Sequence, residues 1–152
     1  MKKYLLLALL CIIILTFTGC GTERTLTNIA EYEGCKLELT DCSIETTDTG
    51  KTLLKVLAYY TNTNSTPYYA YCSFSVKAFQ HNTELVEVSN INGDEASLIR
   101  EVKDGASLSV CYVFELDDES AVEVLVCTPT ASEEIIAKAV FLEAEASEGS
   151  AS

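Results

Sequence analysis

From about position 36 to 142 the chain keeps returning to a two-residue period. Lys36 to Ile44 puts Leu37 and Leu39 on one face and Lys36, Glu38 and Thr40 on the other, the signature of a half-buried strand. Asp48-Thr49-Gly50-Lys51 carries turn chemistry, and the apolar, β-rich run Leu53 to Tyr60 follows it. Tyr71 to Gln80 sets Cys72, Phe74, Val76 and Ala78 against Ser73, Ser75 and Lys77. His81-Asn82 then separates it from Thr83 to Val88, the layout of a two-residue hairpin. Lys103-Asp104-Gly105 is another turn, and Ser107 to Leu116 and Val122 to Thr128 flank Asp117-Asp118-Glu119 as a further hairpin. Ile135 to Leu142 reads as a last strand, with a helix started by Ser132 as the alternative. Seven or eight short strands predict an all-β, two-sheet antiparallel sandwich of immunoglobulin-like type. The Cys–Trp–Cys core of antibody domains is missing, because the chain holds no tryptophan.

The ends read differently. Lys2 and Lys3 precede Leu5 to Phe17, thirteen residues without a charge, too short for a spanning helix at about 20 residues but right for a secretory signal. The run closes on Phe17-Thr18-Gly19-Cys20 and resembles a bacterial lipoprotein signal, in which the cysteine is diacylated and becomes the mature N-terminus. The expected organisation is a signal peptide over 1–19, a lipidated tether over 20–34, the sandwich over 35–142, and a disordered acidic tail over 143–152. Two acyl chains on Cys20 hold a protein firmly at a membrane, where one holds it marginally. The expected location is therefore extracytoplasmic and lipid-anchored.

Within the sandwich, Leu57-Ala58-Tyr59-Tyr60-Thr61-Asn62-Thr63-Asn64, Ala78 through Leu85, Lys103-Asp104-Gly105-Ala106-Ser107 and Tyr112 through Leu116 occur in this order. In them the chain resembles a family of Gram-positive lipoproteins catalogued as domain of unknown function 5067, similar to telokin-like, immunoglobulin-fold lipoprotein domains. The motifs are a strand ending in Thr-Asn, a Gln-turn-Glu-Leu hairpin and a glycine turn before a long strand. The chain departs from the pattern at Asn82, Asp104 and in its many cysteines. The resemblance implies a fold and a location, and no catalytic residues.

Charge narrows the partners. The chain carries 23 acids and 10 bases, a net −13, and loss of residues 1–19 leaves 8 bases and −15. No basic footprint for nucleic acid can be assembled from it. Anionic headgroups repel such a domain, so the membrane is reached through the Cys20 anchor alone.

Cys35, Cys42, Cys72, Cys111 and Cys127 remain in the mature domain. No pair has the C-x₂₋₄-C spacing of a structural zinc site, and the one histidine, His81, lies in a turn, so no metal, no cofactor and no catalytic residue is expected. A hairpin centred on Glu119 would set Cys111 opposite Cys127, with Cα atoms about 4.5–5.5 Å apart, within disulfide range. Reduced thiols are the rival reading. Gly50-Lys51-Thr52 lacks the first glycine of a phosphate loop, Asn90 to Glu95 lacks the spacing of a calcium loop, and no G-x-S-x-G elbow is present.

The remaining signal is aromatic: Tyr59, Tyr60, and Pro67-Tyr68-Tyr69-Ala70-Tyr71. Tyrosine offers a flat apolar face and a hydroxyl at low entropic cost, which suits recognition. Tyr68 and Tyr69, in a proline-stiffened loop, are the candidate binding residues, with Tyr59 or Tyr60 and Tyr71 expected to pack inside. The functional expectation is a non-catalytic binding module facing an extracellular protein or cell-wall partner. The alternatives are a structural accessory subunit of an envelope complex and an extracytoplasmic enzyme.

Overall fold

The computed structural model describes residues 26–88 and 94–142. The signal segment, Cys20, the tail over 143–152 and the Asn90–Gly93 stretch lie outside the described residues. Eight strands run through the described chain: β1 Ile29–Tyr32, β2 Cys35–Thr46, β3 Thr52–Asn62, β4 Ser75–Gln80, β5 Thr83–Glu84, β6 Ser107–Glu115, β7 Val122–Cys127 and β8 Ile135–Phe141. They form two four-stranded sheets, β1-β2-β3-β6 and β5-β4-β7-β8, with every neighbour antiparallel. This is the sandwich that the two-residue period predicts. Ile135–Phe141 is a strand and not a helix.

The core lies where the alternating apolar faces meet. Leu37 and Leu39 of β2, Leu54, Val56, Ala58 and Tyr60 of β3, and Val110, Tyr112 and Phe114 of β6 come from one sheet. Val76 and Ala78 of β4, Val122, Val124 and Val126 of β7, and Ala137 of β8 come from the other. The register breaks between Leu39 and Asp41, where Thr40 is the extra residue and its hydroxyl donates to the Leu57 carbonyl (3.1 Å). The bulge resets the phase, so that Cys42 faces inward opposite Val56 and packs against the core.

Two hairpins have two-residue turns with left-handed backbones at both positions: Glu33-Gly34 between β1 and β2, and His81-Asn82 between β4 and β5. The second was expected. The first was not, because Ile29–Tyr32 falls within the segment expected to be tether; the folded region begins at β1, which pairs with β2 from Ile29↔Glu38 to Tyr32↔Cys35. A second correction concerns Tyr71 to Ser73. These residues belong to a single helical turn, Ala70–Ser73, that precedes β4, and Tyr71 and Cys72 are exposed where inward packing was expected.

The largest correction is the connection after β6. Its strand pairs with β3 over Leu53↔Glu115 to Thr61↔Ser107, while β7 pairs with β4 and β8. Residues 116–121 thus carry the chain from one sheet to the other and do not form a hairpin. Cys111 stands opposite Leu57, and Cys127 stands opposite Ser75 and Ile135. The expected Cys111–Cys127 disulfide has no register to form in, and neither sulfur is in a disulfide.

Buried Gln80 holds this crossover. Its Oε1 accepts the Asp117 amide (2.9 Å) and its Nε2 donates to the Ser120 carbonyl (2.9 Å). Asn62 does the same at the other end: its Nδ2 donates to the Thr66 and Val102 carbonyls (both 2.8 Å), and its Oδ1 accepts the Asn64 amide (2.9 Å). The Thr-Asn strand end and the Gln of the hairpin motif are thus loop anchors, one per end of the sandwich.

Along one flank, Thr83 to Val88 switches sheets. The Leu85 amide donates to Ala78 of β4, and further along the Glu115 amide of β6 donates to Val86 and the Val88 amide to Val113. On the other flank the Lys138 amide of β8 donates to the Thr27 carbonyl (2.8 Å), and β1 packs beside β8.

Candidate functional site: a cleft at the loop end

The β1–β2 turn, the β3–β4 connection and the loop after β7 converge at one end of the sandwich around a cleft of about 280 Å³. Tyr32, Tyr68, Asn64, Cys35, Cys72 and Ser73 are among its lining residues. Three chain-distant segments build it, which is why the sequence did not reveal it.

The floor is a polar network. The Tyr60 hydroxyl, on a fully buried residue, shares hydrogen bonds with Ser73 Oγ (2.8 Å) and Cys35 Sγ (3.2 Å). Burial pushes the Tyr60 phenol above its ordinary range, and the Cys35 contact adds to this, so it stays protonated. Ser73 Oγ donates to the Tyr69 carbonyl (2.8 Å) and lies 3.5 Å from Cys35 Sγ, and Asn64 Nδ2 reaches Cys35 Sγ (3.4 Å) and the Glu33 carbonyl (2.9 Å). Tyr60 further meets Phe74 edge to face, with ring centroids 6.4 Å apart. At the rim, the Tyr32 phenol is raised by desolvation and by the Glu33 carboxylate beside it.

Tyr68 and Tyr69 stand where the loop expectation put them, 40% and 38% exposed. Their backbone is not loose. The Tyr68 amide donates to the Val102 carbonyl (3.0 Å), the Val102 amide returns to Tyr68 (2.8 Å), and the Tyr71 amide donates to Leu98 (3.1 Å). The Tyr69 hydroxyl approaches Glu101 Oε2 at 3.4 Å. The short ladder lifts a ridge of Tyr68, Tyr69, Tyr71 and Ile99 beside the cleft, with Tyr71 66% and Ile99 50% exposed. Tyr60 is interior as expected, whereas Tyr59 is exposed on the outer face of its sheet.

At the opposite end, His81 gathers two partners that sequence reasoning did not connect. Asp118 Oδ2 lies 2.9 Å and Ser120 Oγ 3.1 Å from the same ring atom, Nε2. A Ser–His–Asp relay needs the hydroxyl and the carboxylate on different ring nitrogens. Here both crowd one nitrogen, so the carboxylate does not orient the ring from the far side of the serine as a triad aspartate does. The cluster holds the crossover loop instead, with Asp118 Oδ1 accepting the Ser120 amide (2.8 Å). Among the described residues no group of three or more His, Cys, Asp or Glu is placed to hold a metal ion.

Solved structures sharing the fold include two described as lipoprotein candidates. That from Staphylococcus aureus is 11% identical with a TM-score of 0.61, the match covering 75% of this chain and 87% of that one. That from Bacillus subtilis is 15% identical with a TM-score of 0.53, covering 76% of this chain and 38% of the other. An NMR structure of a protein from Enterococcus faecalis is 19% identical with a TM-score of 0.54, covering 77% and 90%. At such identities the likeness is one of fold. No curated protein sequence matches the chain. A family model does, over residues 22–127, which takes in the cleft's lining except Pro129, both anchoring amides and the tyrosine ridge: the chain belongs to the family described as domain of unknown function (DUF5067).

Proposed function

We propose that this chain is a non-catalytic recognition domain, held outside the cell by a lipid anchor on Cys20 and engaging an extracellular protein or cell-wall partner through the Tyr68–Tyr69 ridge and the cleft beside it. The observation that carries the reading is the Tyr68–Val102 backbone bridge. It fixes the backbone that carries these half-exposed aromatic side chains before any partner arrives, so less freedom is lost on contact. The lipoprotein descriptions of the structural neighbours and the signal-like run ending at Cys20 support the location. The shared-nitrogen geometry at His81 argues against hydrolase chemistry there.

The test is crosslinking capture from intact cells, comparing the wild type with the Tyr68→Ala, Tyr69→Ala double variant. Losing a central aromatic anchor costs about 2 kcal/mol or more, so capture should fall by roughly tenfold or more while the melting temperature barely moves. Unchanged capture with unchanged stability overturns the reading.

A further inference from the structure

The cleft holds two of the five described cysteines, and they differ in setting. Cys35 is buried at the floor, 4% exposed; Cys72 is exposed on the rim, on the four-residue turn Ala70–Ser73. The residue after Cys72, Ser73, already places its hydroxyl 3.5 Å from Cys35 Sγ. Asn64 Nδ2 donates to that sulfur from 3.4 Å. Cys42 packs on the core beside β3, Cys111 belongs to β6, and Cys127 is buried with its thiol pushed up chiefly by desolvation, so none of the three shares this pairing of access and donors.

The geometry points to a dithiol site: Cys72 and Cys35 react with a low-molecular-weight disulfide and end as an intramolecular disulfide across the cleft. The Cys72 thiol gives up its proton, and its sulfur attacks one sulfur of R–S–S–R. A Cys72–S–S–R bond forms, the original S–S bond breaks, and the departing R–S⁻ takes the proton. Cys35 then attacks the Cys72 sulfur in the same way and expels the second R–S⁻, which leaves with the Cys35 proton. Two protein thiols are oxidised and one small disulfide is reduced to two thiols. Closing the bond requires the Ala70–Ser73 turn to bring Cys72 to the floor; its backbone is tied locally by the Cys72 amide on the Tyr69 carbonyl (3.2 Å). This inference rests on the cleft alone and not on partner binding at the tyrosine ridge.

The reaction is read on the full chain, purified in detergent and incubated with oxidised glutathione, by tryptic mapping without reduction. Cleavage after Arg24, Lys36, Lys55 and Lys77 isolates Cys35 in peptide 25–36 and Cys72 in peptide 56–77, with no other cysteine in either. The expected product is these two peptides joined and lighter by two hydrogens. Cys35→Ser should instead trap glutathione on Cys72, and Cys72→Ser should slow all modification of Cys35 by at least tenfold. Circular dichroism matching the wild type shows that each variant is folded. No joined peptide, a joined peptide involving Cys42, Cys111 or Cys127, or glutathione left unresolved on Cys72 in the wild type each overturns the proposal.

Discussion

Gly34 and Asn64 fit together only because residue 34 has no side chain: a Cβ there would lie 2.4 Å from Asn64 Oδ1. The same glycine sits at φ +74 in the β1–β2 turn. Gly50 is also left-handed, at φ +82, but has nothing within 4 Å of where a Cβ would stand. Gly50→Ala should therefore cost only the backbone strain, about 1–2 kcal/mol. Gly34→Ala should cost that strain and an added steric term, in total about 2–4 kcal/mol. Urea denaturation of both variants compares the two directly, and equal losses would show that Asn64 simply moves aside.

Asn62 offers a second stability test. Asn62→Ala removes a fully buried side chain whose amide serves the Thr66 and Val102 carbonyls and accepts the Asn64 amide. The Val102 carbonyl keeps the Tyr68 amide, so the Thr66 carbonyl and the Asn64 amide lose their partner and a loss of about 1–3 kcal/mol is expected. Hydrogen exchange should report the damage locally, with faster exchange at the Tyr68 and Val102 amides. A loss spread evenly over both sheets would contradict the anchoring role.

Acid should loosen the other end first. Hydrogen bonds from Ser120 and then His81 hold the Asp118 carboxyl down to about 2, against an ordinary value of 3.8. A depressed folded value contributes stability that is present above the unfolded pKa and is lost as pH falls through the folded one. The melting temperature should therefore drop between about pH 4 and pH 2 partly through Asp118. In Asp118→Asn that part of the acid limb should flatten. Parallel curves for the two proteins from pH 2 to pH 5 would exclude a role for this carboxylate.

The anchor itself is tested by fractionation. Cys20→Ser removes the sulfur that would carry the acyl chains and leaves the folded residues untouched. The variant should leave the membrane fraction for the medium or the soluble extract. Processed protein that remains with the membrane would refute the lipid anchor.

The contrast between what was readable and what was not follows from what a strand pattern encodes. Period two in Lys36 to Leu39 and Ser75 to Gln80 names the buried face, and His81-Asn82 names a turn, because both are local properties, whereas the bulge at Thr40 breaks the period over the rest of β2. Which strand lies beside β6 is not local. Ser107–Glu115 and Val122–Cys127 look like a hairpin across Asp117-Asp118-Glu119, but β6 pairs with β3 and β7 with β4 and β8, and the buried Gln80 that holds the link lies nearly forty residues earlier. β1 was missed because four residues bordered by polar ones carry too little alternation to stand out. At the site, the exposed Tyr68–Tyr69 pair was legible from composition. The Cys35–Ser73–Tyr60 floor was not, because its members become neighbours only when β2, β3 and the turn before β4 come together.

The sheet-switching segment Thr83–Val88 has a consequence for how the protein can be approached. Its amides serve β4 first and β6 afterwards, and across the molecule the Lys138 amide ties β8 to Thr27. Of the four outermost strands, β1 and β5 are brief, at four and two residues, while β6 and β8 run for nine and seven. Sandwiches that leave a long flank unpaired invite another chain to add a strand, whether as β-augmentation by a peptide or as the seed of an aggregate. Here the sheet-switching segment covers part of β6 and Thr27 covers part of β8. Where those bonds lie, a neighbouring chain finds no open backbone groups to pair with.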